Sequence, residues 1–347
     1  MGTAARCVVA ISILLAGCAG DAPPAEAVAD TGPASVDTLI TTASAVLGRV
    51  SDLTVGPDGS VYVVDQLSNA VHVLDPAGQL ARTFGREGAG PGELNRPSGI
   101  LFVGDTLAVV ETGNLRLQLF TADGTSLLTR PLPGSAGPLA VSPIGRTFAP
   151  TLTLDTTLAT LRGPDGTERA KVGRMVGTPS RVVQIGASKE QIQRGEVPDT
   201  FLNTAYGAWA DDGSLWMMVP ARATVERFDT TGVRRWELTL EDPSFESVRA
   251  EFVSRNAALE GMRLFPLMYI LPNPRPAGDE LWVLLGQSGQ GPAVIQVVNG
   301  DGSLGARLEF PEIRDVALFA VDPARGLVYF TTAETAELLR TALPTPR

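Results

Sequence analysis

The chain has 347 residues, 44% of them hydrophobic and 19% charged, enough apolar material for one large all-β domain or two ordinary ones, which excludes disorder over the whole length. With 28 Lys and Arg against 38 Asp and Glu the net charge is −10, so no general attraction to nucleic-acid phosphate or anionic lipid is expected. His72 is the only histidine, and the two cysteines, Cys7 and Cys18, both lie near the N-terminus. Multi-histidine metal centres, disulfides, four-cysteine zinc sites and thiol nucleophiles are thereby removed from the body of the chain.

The first segment reads as an address. Arg6 precedes the apolar run Cys7-Val8-Val9-Ala10-Ile11-Ser12-Ile13-Leu14-Leu15, too short to span a bilayer and suited to the core of an export signal. It ends in Leu15-Ala16-Gly17-Cys18, which resembles the bacterial lipobox; the resemblance implies cleavage after residue 17 and a lipid on the Cys18 sulfur. Residues 1–17 are expected to be a signal peptide, and residues 18–35 a lipidated Cys with a flexible tether, because Ala, Pro, Asp and Gly dominate there and can bury no face. Ala19 rather than Asp follows the cysteine, which by the same resemblance favours the outer membrane.

From residue 36 onward the signal is periodic: an inner apolar strand, a tight turn, a second strand ending in polar residues, a third strand and another turn. The first copy runs Leu53-Thr54-Val55, Gly56-Pro57-Asp58-Gly59, Val61-Tyr62-Val63-Val64-Asp65, Val71-His72-Val73-Leu74-Asp75 and Pro76-Ala77-Gly78. The second runs Ile100-Leu101-Phe102-Val103, Leu107-Ala108-Val109-Val110-Glu111, Leu115-Arg116-Leu117-Gln118-Leu119-Phe120 and Ala122-Asp123-Gly124. Weaker copies begin near Leu139, Ala208, Met268 and Leu318, which makes six. Paired turns recur 19 residues apart, at 59 and 78, 105 and 124, and 213 and 232, a spacing that suits two hairpins sharing their middle strands. The sixth copy has no fourth strand after Leu343, and Val36-Asp37-Thr38-Leu39-Ile40-Thr41 is expected to supply it, closing a ring with no open sheet edge.

These residues resemble the NHL-type six-bladed β-propellers, and in particular the envelope-anchored bacterial ones. The resemblance rests on Asp58-Gly59-Ser60-Val61-Tyr62-Val63-Val64-Asp65, on Gly85-Arg86-Glu87-Gly88-Ala89-Gly90-Pro91-Gly92-Glu93-Leu94 with Arg96-Pro97-Ser98-Gly99-Ile100, and on Gly113-Asn114-Leu115-Arg116-Leu117. It is strong over residues 50–130 and a matter of pattern beyond. The fold expected is all-β: one six-bladed propeller over residues 36–347, closed by an N-terminal strand, with two inserted segments, one helical, on one face.

Four features bear on chemistry. The glycines of residues 85–90 are read as a link between blades and not as a phosphate loop, because Pro91, Gly92 and Pro97 forbid the helix that a phosphate cradle needs. Asp65 with Asn69, and Glu111 with Asn114, end second strands at one rim; they either tie turn backbone or, as in the lactonase-type propellers that the fold resembles, coordinate Ca²⁺. Counting from Leu53, Ile100, Leu267 and Leu318, the residue four earlier is Arg49, Arg96, Arg263 and Arg314, so arginines are expected to converge at a channel mouth or to pair locally with neighbours such as Asp52 and Asp315. Insertions at residues 173–203 and 241–263 fall at equivalent places in the repeat and therefore on one face. Asp242-Pro243 starts a helix whose stripe is Phe245, Val248, Phe252 and Leu259 and which ends at Gly261; the segment around Lys189-Glu190-Gln191-Ile192 is expected to join it over the mouth or against a blade.

The expectation is thus a monomeric, lipid-anchored binding or scaffolding module of the bacterial envelope, without catalytic residues or resident cofactor. It would touch the membrane only through its lipid and bind no nucleic acid; its partner would be an anionic small molecule, a peptide or an envelope protein. The alternative is a Ca²⁺-dependent lactonase-like hydrolase. A zinc-dependent lyase of the NHL kind would need several histidines, which the chain lacks.

Overall fold

In the computed structural model, which describes residues 35–40, 47–132, 140–142, 145–151, 156–177, 185–258, 264–287, 291–333 and 337–344, the strands form six four-stranded antiparallel sheets arranged as the blades of a ring. Strand β1 (Asp37–Ile40) comes first. Blade one follows as β2 (Val50–Val55), β3 (Val61–Asp65), β4 (Ala70–Leu74) and β5 (Leu80–Phe84). Blade two is β6 (Pro97–Val103), β7 (Thr106–Glu111), β8 (Arg116–Thr121) and β9 (Ser126–Pro131). Blade three is β10 (Ala140–Val141), β11 (Thr147–Pro150), β12 (Ala159–Arg162) and β13 (Glu168–Val172). After helices α1 (Ile185–Gln193) and α2 (Asp199–Leu202), blade four is β14 (Tyr206–Trp209), β15 (Leu215–Val219), β16 (Thr224–Phe228) and β17 (Arg234–Thr239). Helix α3 (Ser244–Ala257) precedes blade five, made of β18 (Arg275–Ala277), β19 (Glu280–Leu284), β20 (Ala293–Asn299) and β21 (Leu304–Phe310). Blade six is β22 (Val316–Asp322), β23 (Leu327–Thr332) and β24 (Leu338–Ala342).

The recurring second turn explains the glycines. Gly78, Gly124, Gly166, Gly232 and Gly302 have φ between +77° and +92°, and the strand pairing slips by a residue beside each of these turns. A type I turn followed by a left-handed residue and a bulge has this geometry, and a residue with a Cβ would be strained in it. Second strands are buried over most of their length because each blade packs on two neighbours. Tyr62, Val64, Val71 and Val73 of blade one meet Ile100, Leu107, Val109 and Phe120 of blade two, all at 2% exposure or less. Burying one such large apolar side chain stabilises the fold by about 1.5–3 kcal/mol.

Closure falls to the N-terminal strand: β1 pairs antiparallel with β24, Asp37 opposite Arg340, and completes blade six in the order β1-β24-β23-β22. Ile40 is buried in a cluster that joins Ala320, Tyr329 and Leu338 of blade six to Leu53, Val61, Val63 and Leu74 of blade one.

Three expectations about position need correction. The inner strand of blade five is Arg275–Ala277 and not a strand near Met268; Leu267 is buried among helix residues instead. An apolar pattern of that length reads alike in a strand and in a return segment covering a helix. In blade six the residue equivalent to Leu53 and Ile100 is Phe319, which lies opposite Phe330 and is fully buried, while Leu318 is only half-buried. Both insertions are helical: α1 and α2 occupy the first, and α3 the second. Leu259, Gly261 and Arg263 lie outside the described residues, as do Cys18 and the tether up to residue 34.

Candidate binding face

Second-to-third strand turns and the links between blades share one face, so both insertions emerge there. Their helices form a single cap. Ile192 of α1, Val248 and Phe252 of α3, Leu267 of the return segment and Ala221 share one apolar cluster, with Val197, Phe201 and Leu202 packed against it. Ala221 belongs to the short 3-10 turn Pro220–Arg222 that joins β15 to β16, so the cap is seated on blade four. Phe201 meets Phe252 edge to face at 5.9 Å. Phe245 turns to Tyr269, 4.8 Å away between ring centres, and packs on the core between blades four and five.

Polar ties fix the cap's ends. The Asp242 carboxylate accepts from the Ser244 N–H at 2.9 Å and the Ser244 hydroxyl at 2.5 Å, and its other oxygen pairs with Arg307 Nε on β21 at 3.0 Å. Burial pushes the Asp242 carboxyl up, yet these donors outweigh it and hold it below its ordinary value. Asn256, buried near the end of α3, donates to the Phe265 carbonyl at 3.0 Å and accepts from the Phe265 N–H at 2.9 Å, stapling the return segment to the helix.

At the rim of blades one and two the acidic residues close turns. Asp65, 1% exposed, accepts from the N–H groups of Gly48, Arg49 and Leu67 and from the Ser68 hydroxyl, at 2.8–2.9 Å. Burial raises its pKa, and these four donors overcome that and lower it. Glu111, fully buried, accepts from Asn95 N–H, Asn114 Nδ2, Arg116 Nε and Gln118 Nε2 at 2.6–2.9 Å. Asn69 Oδ1 accepts the Arg96 N–H at 2.7 Å, and Asn114 Oδ1 accepts from Asn95 Nδ2 at 3.3 Å. The oxygens of Asp65, Asn69, Glu111 and Asn114 are thus engaged by N–H and O–H donors of the links, turns and strands around them. Among the described residues no three His, Cys, Asp or Glu side chains gather to hold a metal ion.

The glycine-rich link after blade one also has a definite role. Arg116 donates to the carbonyls of Ala89 at 2.5 Å, Gly90 at 3.1 Å and Glu93 at 2.7 Å. The loop turns carbonyls toward a cation, the reverse of the N–H cradle that holds a phosphate. Gly85, with φ +87°, is required there: a Cβ would come 2.6 Å from Leu94, the buried residue that anchors the loop.

The arginines divide. Arg49, Arg96 and Arg314 are exposed, and Arg263 lies outside the described residues. The offset of four holds in blades one and two; in blade six it falls on Asp315, and in blade five Leu267 is not on the inner strand. Asp52 is taken by a residue that sequence inspection does not single out. Arg275 Nη2 reaches Asp52 Oδ1 at 2.5 Å, while its Nε donates to the Phe319 carbonyl at 2.7 Å. Asp52 Oδ2 accepts the Ile100 N–H at 2.9 Å. This ion pair, each side chain 15% exposed, links the inner strands of blades five, six, one and two across the central channel. The partners stand 223 residues apart in sequence, and no local motif connects them.

The arrangement is a helix-capped face that also carries the exposed Arg49, Arg96 and Arg314, on a ring tied internally by the Arg275–Asp52 pair. No protein-family model matches this sequence, and no curated protein sequence is significantly similar to it. Solved structures do match in fold. A Bacteroides fragilis protein provisionally described as exported is 11% identical, with TM-score 0.54 over 90% of this chain and 95% of that one. A member of the DUF4221 family from Bacteroides vulgatus is 10% identical, with TM-score 0.52 over 91% and 98%. A gluconolactonase from Xanthomonas campestris is 14% identical over 90% of each chain, with TM-score 0.46, too distant to carry an argument. At these identities the likeness concerns architecture alone, and by architecture the chain is a six-bladed β-propeller.

Proposed function

We propose that this chain is an exported, lipid-anchored, NHL-type propeller of the bacterial envelope, held at the outer membrane through Cys18, that binds a small organic anion, a peptide carboxylate or an envelope protein on its helix-bearing face. The observation that carries the binding role is the convergence of two separate insertions into one cap, on the face that also carries the exposed Arg49, Arg96 and Arg314. Two insertions that merely lengthened loops would have no reason to share an apolar core. The address rests on Leu15-Ala16-Gly17-Cys18, and the export ascribed to the Bacteroides fragilis neighbour fits it.

The test has two parts. Cys18→Ser should release the protein from membranes; equal membrane retention would sink the anchor. A thermal-shift screen with small organic anions, Ca²⁺ and EDTA should find an anion that raises the melting temperature. Arg96→Ala or Arg314→Ala should then weaken that anion by about 1.5–3 kcal/mol if the contact is desolvated. Stabilisation by Ca²⁺ reversed by EDTA, with no response to anions, would favour the lactonase-like reading instead.

A further inference from the structure

A cleft lies on the opposite face, between blades three and four, and nothing in the proposed function uses it. It encloses about 530 Å³ and is lined by Arg146, Arg162 and Arg169 together with Trp209, Pro164 and Thr231. That volume is in the range that takes a small organic ligand. Its walls come from first and second turns of adjacent blades, the face away from the helices.

The charge balance inside the cleft is uneven. Arg169 is paired with Asp165 at 2.8 Å, and both side chains are more than half exposed. Arg146 and Arg162 are half-buried, and among the described residues neither is paired with a carboxylate. Arg146 spends one donor on the Gly213 carbonyl at 3.0 Å, and Arg162 spends one on the Gly166 carbonyl at a long 3.4 Å. A guanidinium has five N–H donors in a planar fork, so most of each fork stays available. The Arg146 guanidinium also sits 5.9 Å from the centre of the Trp209 ring, which leaves an indole beside the charges. Two half-buried guanidinium groups with donors to spare, beside an indole, offer a carboxylate a bidentate site.

We infer that this cleft binds a ring-bearing organic carboxylate, its carboxylate held by Arg146 and Arg162 and its ring laid against Trp209. A sugar acid and an aromatic acid share that chemistry. The two sources are separated by using glucuronate and benzoate as probes, with glucose as the uncharged ring and inorganic sulfate as the charge without a ring.

The experiment is calorimetric titration of each probe into the detergent-solubilised full chain and into Arg146→Gln, Arg162→Gln and Trp209→Leu. Glucuronate or benzoate should bind at least tenfold more tightly than glucose and than sulfate. Each arginine substitution should weaken the bound acid about tenfold or more, while Arg86→Ala, an exposed arginine on the far face, should leave it unchanged. The melting temperature of each variant shows whether it is folded, and Arg162→Gln, at a strand end, keeps the test alive if Trp209→Leu disturbs blade packing. The inference is overturned if neither acid binds more tightly than sulfate. It is equally overturned if folded Arg146→Gln and Arg162→Gln bind the acid as the parent does, or if Arg86→Ala alone abolishes binding.

Discussion

Blades one and two and blades four and five close the same face by opposite means. In blades one and two, short links are pinned by buried carboxylates: Asp65 and Glu111 each collect four donors, and Arg116 gathers the carbonyls of the glycine-rich loop. In blades four and five the equivalent second-strand positions are Val219 and Leu285, both buried and apolar, and the links are long, helical and held by an apolar cluster. The first solution ties the turns through buried hydrogen bonds and gives a stiff rim. The second adds a helical cap held to blade four by apolar contacts rather than by hydrogen bonds to a buried carboxylate.

The largest way to break the comparison is to remove what both regions depend on, the closing strand. Deleting residues 36–42 should expose the outer edge of blade six and uncover Leu53, Val63 and Tyr329, whereas deleting residues 19–35 should leave the melting temperature unchanged. Equal melting temperatures for the two truncations would show that the ring is closed some other way. Next comes Glu111→Ala, which strands the nearly buried Arg116 guanidinium and should cost about 3–5 kcal/mol in a denaturant titration. Val219→Ala, at the same place in blade four, removes only methyl groups and should cost about 2 kcal/mol. If the two cost the same, the polar rim is no stiffer than the apolar one.

Phe252→Ala sharpens the contrast from the other side. Removing a buried ring typically costs about 3 kcal/mol or more, but here the loss should stay local. Amide exchange should accelerate in α1 and α3, while exchange in β15 and β16 stays as in the parent; a matching acceleration in the blades would mean that the cap and blade four unfold together.

The smallest effect is in pH. Burial holds His72 in blade one below its ordinary pKa despite the nearby Asp65 carboxylate, so the unfolded chain takes up a proton first. That contribution is complete above about pH 6.5 and is lost as pH falls toward the folded value. Asp229 in blade four is lowered to about 2 by hydrogen bonds from Thr231 and Val233, so its contribution survives to about pH 4 and is lost between there and about pH 2. His72→Gln should abolish the first decline in melting temperature below about pH 6.5 and leave the acid limb in place.

What the sequence determined by itself is everything carried by local pattern. Alternating apolar strands, turn glycines and a regular spacing specify six blades, because a hairpin is decided by residues within about ten positions of one another. The closing strand, which pairs with the far end of the chain, was legible by elimination instead: a copy lacking its fourth strand and an unassigned apolar segment leave one solution that keeps no edge open. The two insertions were legible as interruptions of the period, and Asp242-Pro243 as a helix start. Tertiary structure alone decided the rest. The inner strand of blade five lies beyond Met268 because Leu267 is claimed by the helix cap. Arg275 crosses the channel to Asp52 because the ring brings strands 223 residues apart in sequence into contact. The Arg49 and Arg96 recurrence is local and real, yet whether such cations meet, and whether Arg146 and Arg162 share a cleft with Trp209, depends on which blades stand side by side. No interval along the chain records that.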